Sequence, residues 1–231
     1  MGLPLYLALS GEEWPLRGAV PPKTCWMACR FSPVGSTLLN LPPADFPGDL
    51  LILDDSTPPR EACPEQILAQ LQQLLHTQCF GALLLDFQRP GSPQTQAIAR
   101  ALVEGLSCPV ATAAAYAQAL PCPVFLPPIP LRRPVEACLR PWMGRELWLE
   151  AALEQETVVV TEDGAACSAG TADCQEPEAE DPALHCHYQV EVQENQAIFH
   201  IRRSREDFHS LLEEAERLGV KRAVGLWQEW K

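Results

Sequence analysis

The sequence contains no apolar run that approaches the roughly 20 residues of a membrane-spanning helix. Basic residues are scarce: 17 Lys and Arg stand against 30 Asp and Glu, a formal charge of −13. That balance excludes nucleic acid and anionic membrane surfaces as partners, because neither electrostatic steering nor counterion release would favour them. The amino terminus, "MGLPLYLALSGEEWPLRG", lacks a basic stretch ahead of its short apolar segment. It reads as a strand rather than a secretory leader, and the expected location is cytoplasmic. A complete metal-ligand set is also missing. "KTCWMACR" has a C-x₃-C spacing and "LHCHY" brings together His185, Cys186 and His187, but neither offers four ligands. Adjacent strand residues moreover face opposite ways, so the expectation is no metal and no cofactor. There is no internal repeat of useful strength, and the sequence sets no oligomeric state.

Cysteine is plentiful, with ten residues scattered along a chain long enough to fold without disulfide staples. Cys29, Cys79 and Cys108 sit inside apolar runs, where cysteine acts as a small hydrophobe. Free thiols are expected.

Eight segments read as short apolar strands: 4–10, 24–31, 49–56, 81–88, 108–115, 122–129, 146–153 and 222–228. In the fourth, "GALLLDFQ", three consecutive leucines suit a strand covered on both faces, as in parallel sheets. Helices separate several of them. Pro64 to Thr77 sets Ile67, Leu68, Leu71, Leu74 and Leu75 on one face. Ser92-Pro93 opens a helix that runs to about Leu106. Ser204 to Leu218 carries a cap at Ser204, Asp207 three residues on, and a stop at Gly219. Strand–helix alternation with eight strands predicts an α/β fold, a TIM-type (β/α)₈-like barrel formed by 1–231 as one domain. The barrel should be irregular, because 23 prolines imply loops in place of some outer helices. One stretch breaks the pattern. "ETVVVTEDGAACSAG" and "HYQVEVQENQAIFHIRR" read as hairpins, so 155–201 is expected as a small antiparallel β insertion before the last helix. Within it, 172–183 reads as a flexible acidic loop.

A parallel barrel builds its site at the carboxyl ends of its strands. Alternation there places Asp86 and Gln88 on one face of the fourth strand, Trp148 and Glu150 on one face of the seventh, and Trp227 and Glu229 on one face of the eighth. The third contributes Asp54 or Asp55, which face opposite ways. Carboxylates and amides hydrogen-bond hydroxyls and indoles stack on sugar faces, so these eight residues are the candidate ligand-binding set. Several have a plainer role: Asp54 and Asp55 can start a loop, Asp86 can be a structural hydrogen-bonder, Trp148 and Trp227 can be core, and Glu150 can be a rim charge.

"CFGALLLDFQ" resembles the fourth-strand signature of the family-18 glycoside hydrolases, the chitinase-like enzymes, whose pattern is G-F-D-G-V-D-I-D-W-E. Phe80 falls on the pattern's Phe, Asp86 on its last Asp, Phe87 on its Trp and Gln88 on its Glu. The ending "AIFHIRRSREDFHSLLEEAERLGVKRAVGLWQEW" is similar to the family's last strand–helix–strand unit, with Trp227 at its closing tryptophan. The resemblance implies a substrate-assisted glycosidase site, in which the Glu protonates the leaving oxygen and the Asp orients the attacking N-acetyl group. This sequence departs from it. Gln88 has no proton to give, and Gly81 and Leu84 replace the first two aspartates. The sixth-strand Met-x-Tyr-Asp has no counterpart in "CPVFLPPI". The resemblance therefore implies a barrel that binds a saccharide or cell-wall fragment without hydrolysis. The alternatives are an active glycosidase that pairs Asp86 with a relocated acid at Asp55, Glu150 or Glu229, and a structural or protein-interaction module.

Overall fold

A computed structural model describes residues 2–14, 23–169 and 179–230. In chain order its elements are β1 (Leu5–Leu9), β2 (Thr24–Phe31), β3 (Leu38–Leu39), β4 (Leu50–Asp54), α1 (Pro64–Gln78), β5 (Ala82–Asp86) and α2 (Pro93–Gly105). Then come β6 (Val110–Ala113), α3 (Ala114–Ala117), β7 (Val124–Leu126), α4 (Val135–Leu139) and β8 (Leu147–Ala151). The remainder comprises β9 (Gln155–Thr161), β10 (Gly164–Ala169), β11 (Ala179–Asp181), β12 (Cys186–Gln193), β13 (Gln196–Arg202), α5 (Arg205–Arg217), β14 (Val220–Leu226) and α6 (Trp227–Trp230). The chain divides into two compact units.

The first unit holds Pro4–Pro127, Gly144–Glu150 and Lys221–Lys231. Its strands form a ring in the order β1, β2, β4, β5, β6, β7, β8 and β14, closed by the β1–β14 and β1–β2 pairings. The barrel is the expected one, and its strands are buried on both faces. Alternate residues fill the interior, among them Tyr6, Cys25, Leu50, Ile52, Leu84, Phe125, Trp148 and Val224. The intervening residues face outward, and Leu51, Leu53, Leu83 and Leu85 are each 0% exposed. Burial of one such leucine contributes about 1.5–3 kcal/mol, so a wall of them holds the ring closed. Helix α1 buries Ile67, Leu71 and Leu75. Helix α2 buries Ile98, Ala99 and Leu102, and the Ser92 hydroxyl accepts from the Thr95 amide at its start. Among the described residues of this unit no other helix exceeds four residues, in keeping with an irregular barrel.

The second unit includes Pro128–Met143 and Ala151–Val220. Its sheet is antiparallel, ordered β10, β9, β13, β12 and β11. A separate antiparallel sheet is thus present ahead of the last long helix. Residues 170–178, most of the expected acidic loop, lie outside the described residues, while Ala179–Asp181 form a strand. The α5 cap is a reciprocal box: Ser204 Oγ accepts from the Asp207 amide, and Asp207 accepts from the Ser204 amide. Gly219, at φ 104°, ends the helix in a conformation that a β-carbon would strain. Arg203 is 4% exposed and donates to the carbonyls of Ile129 (2.9 Å), His185 (3.0 Å) and Leu184 (3.3 Å). The rings flanking Cys186 meet carboxylates: His185 Nε2 lies 2.7 Å from Glu214, and His187 Nδ1 lies 2.8 Å from Asp207.

Candidate functional site at the barrel mouth

Extending the inward alternation to the carboxyl ends of the strands brings three acids to the mouth. Leu50 and Ile52 lead to Asp54, Ala82 and Leu84 lead to Asp86, and Trp148 leads to Glu150. All three acids are half-buried. Asp54 and Asp86 are register partners on adjacent strands, roughly 4.8 Å apart along the backbone. Glu150 sits across the mouth: in the ring, β8 is four strands from β4 in either direction.

Arg30 joins this row, and sequence alternation alone does not place it there. Counting from the inward Cys25, the even-numbered Arg30 would face outward. A bulge between Trp26 and Cys29 shifts the register, so Arg30 pairs with Asp54 and shares its face. Arg30, Asp54 and Asp86 thus form a lateral line of charges, and the Arg30 side chain is exposed.

The exit of β5 is held rigidly. Asp55, 3% exposed, accepts from the amides of Gln88 (2.9 Å) and Arg89 (3.2 Å), a structural task that occupies both of its oxygens. Arg89 in turn donates to the Ser56 carbonyl at 2.6 Å. Phe87 points away from the mouth and packs between Phe31 and Tyr116. Asp54 accepts from the Ser56 amide at 2.7 Å. Gln88 is exposed, and its side-chain amide donates to Asp86 Oδ1. Burial raises the Asp86 carboxyl above the ordinary range; the Gln88 bond opposes this, and the charges of Asp54 and Asp55 add to it. The Cys29 thiol is pushed up to about 12, by burial and then by Asp54, which leaves it a neutral wall residue.

The remaining candidates lie elsewhere. Trp148 is 0% exposed, donates to Glu146 at 2.8 Å and carries the Arg222 guanidinium 4.6 Å from its ring centre. A ring so enclosed packs the barrel interior and offers no face to a ligand. Trp227 and Glu229 do not share a strand face, as alternation had them. Strand β14 ends at Leu226, opposite Ala8 of β1, and with no further pairing partner the chain turns into the short helix α6. Both are half-buried at the carboxyl end of the last strand. Among the described residues no group of three or more His, Cys, Asp or Glu is arranged to hold a metal, and no helix is long and apolar enough to cross a membrane.

Solved structures share this architecture. The spore cortex-lytic enzyme SleL of Bacillus cereus superposes with a TM-score of 0.58 at 10% identity, over 96% of this chain and 70% of that one. A family-18 chitinase of Cycas revoluta, a double mutant in complex with an N-acetylglucosamine tetramer, matches with 0.54 at 13% identity, over 96% and 94%. A chitinase of Chromobacterium violaceum matches with 0.50 at 9% identity, over 96% and 93%. The chain has the fold of the chitinase-like barrels. No family model matches the sequence, and no curated protein matches it.

Proposed function

We propose that the barrel mouth binds an oligosaccharide of N-acetylated hexosamines, a chitin-like or cell-wall fragment, and does not cleave it. One observation carries the reading. Gln88 stands at the exit of β5, where the resembled enzymes hold their proton donor, and spends its amide on Asp86. An amide cannot protonate a leaving oxygen, and general acid assistance is worth about 10²–10⁴-fold. Asp54, Asp86 and Glu150 supply acceptors for sugar hydroxyls, and Arg30 supplies donors. The complexed Cycas chitinase supports a saccharide as the ligand class.

Calorimetry with the N-acetylglucosamine tetramer tests binding, and release of a chromophore from an aryl N-acetylglucosaminide tests turnover. The expected result is saturable binding that Asp86→Ala weakens by more than about tenfold, with no turnover. Turnover that survives Gln88→Ala but is lost in Glu150→Ala would overturn the reading. It would establish the second one, an active glycosidase with a relocated acid. The raised Asp86 carboxyl and the position of Glu150 across the mouth favour that alternative. Asp55 does not serve it, since both its oxygens hold backbone amides.

A further inference from the structure

The antiparallel unit carries an edge and a charge distribution that the barrel chemistry does not use. Between residues 155 and 201 there are ten Asp and Glu and no Lys or Arg, although the whole chain has 17 basic residues. Strand β10 is the edge of the sheet, and all six of its residues are exposed. Its sequence, "GAACSA", contains neither charge nor proline, the devices that usually block an edge against a further strand. Among the described residues, no strand pairs with its outer side. An apolar row runs inward from this edge through register partners: Ala165 with Val160, Val160 with Ala197, and Ala197 with Val192. Val160 is 39% exposed and Val192 81%. Acids rim the row, with Glu162 and Asp163 in the β9–β10 turn and Glu194 in the β12–β13 turn.

We propose that this edge docks an extended basic segment of a partner protein, which adds to β10 as a further strand. Its backbone satisfies the outward amides and carbonyls of β10, its alternate apolar side chains extend the Val160 row, and its Lys or Arg side chains meet the acidic rim. A second copy of this chain is a poorer occupant, because it would bring the same negative charge to the contact.

The test is fluorescence-anisotropy titration of the full chain with short labelled peptides in which Lys or Arg alternates with Val or Ile. The same peptides with Glu in the basic positions are the control. The basic peptides should bind saturably and lose about tenfold in affinity when salt is raised to about 0.5 M, while the Glu peptides should not bind. Gly164 and Thr161 flank the turn, so Ala165 points its N–H away from β9. Ala165→Pro removes that donor at a position where an edge strand tolerates proline, and Cys167→Lys places a repelling charge on an exposed residue of the edge strand itself. Each should weaken binding by about tenfold or more. The proposal is overturned if the basic peptides do not bind, if the Glu peptides bind equally, or if both variants bind as the parent does. Sedimentation velocity adds one more outcome against it: a dimer that Ala165→Pro dissolves would assign the edge to self-association.

Discussion

Strand β5 and strand β12 bury themselves in contrasting ways. In β5, Ala82 through Leu85 are all at or below 1% exposure, and only the terminal Asp86 is partly open. In β12 only Cys186 is buried, and the last four residues are exposed. A wall that is apolar on both faces makes any polar residue conspicuous, so the acid at its end marks a site. A half-solvated sheet alternates polar and apolar residues as a matter of course, and its carboxylates mark nothing by position. Function in the second unit has to be read instead from what is absent along part of it, the basic residues missing between 155 and 201 and the unguarded edge.

This contrast sets the expected sizes of substitution effects. Trp148→Ala opens the barrel interior and removes the ring under Arg222, so it should cost roughly 3–5 kcal/mol in urea unfolding. A loss below about 1 kcal/mol would show that the interior is not packed as described. Arg203→Met leaves the carbonyls of Ile129, His185 and Leu184 without their donor and should cost about 3 kcal/mol. Hydrogen exchange should locate that loss in β12 and β13, with the amides of Leu83–Leu85 still protected. If the leucines exchange equally, the two units do not unfold separately.

At the end of β4, the neighbouring acids Asp54 and Asp55 should behave differently. Asp55→Ala frees the Gln88 and Arg89 amides and should cost about 2 kcal/mol. Asp54→Asn should change stability by no more than about 0.5 kcal/mol while still weakening tetramer binding. Equal stability effects would remove the distinction between a structural and a ligand-facing carboxylate.

The smallest effect is on pH dependence, where the two units should run in opposite directions. Burial pulls the Asp207 carboxyl up, but the hydrogen bonds from Ser204 and His187 overcome it and hold it below the usual range. Its stabilisation is therefore complete above the unfolded value of about 3.9 and lost as pH falls through the lower folded value. Asp86 is raised, chiefly by burial, so its charged form works against folding. Acidification from the raised folded value towards about 3.9 relieves that cost. Urea midpoints followed against pH should lose the first trend in Asp207→Asn and the second in Asp86→Asn. Unchanged profiles in both variants would contradict these assignments.

Much of the barrel is legible in the sequence. The eight barrel strands announce themselves as short, mostly apolar segments, and the α5 cap and stop are local signals that tertiary contacts did not override. Asp86 and Glu150 follow from alternation once the barrel is assumed, whereas alternation sets Asp54 and Asp55 on opposite faces and leaves open which of them enters the mouth. Trp148 did not, because alternation says only that it faces inward and not whether the interior at its level is filled. Trp227 and Glu229 alternate as a strand would, but strand pairing stops at Leu226, and Trp-Gln-Glu-Trp has no barrier to turning helical. Asp55 was ambiguous for a comparable reason: its two amide partners lie 33 and 34 residues further along the chain.

The bulge in β2 also governs how the strands tolerate changes in length. Two residues, Met27 and Ala28, occupy the space opposite the single Ile52 of β4. Strand β2 can therefore lose one residue at that point and still present Arg30 to the mouth. Strands β4 and β5 pair without interruption and have no such slack, so a single deletion within either would invert its facing and send Asp54 or Asp86 to the outer layer. Insertions and deletions in β2 are thus a poor guide to whether a related chain keeps its mouth, whereas the spacing within β4 and β5 is a strict one.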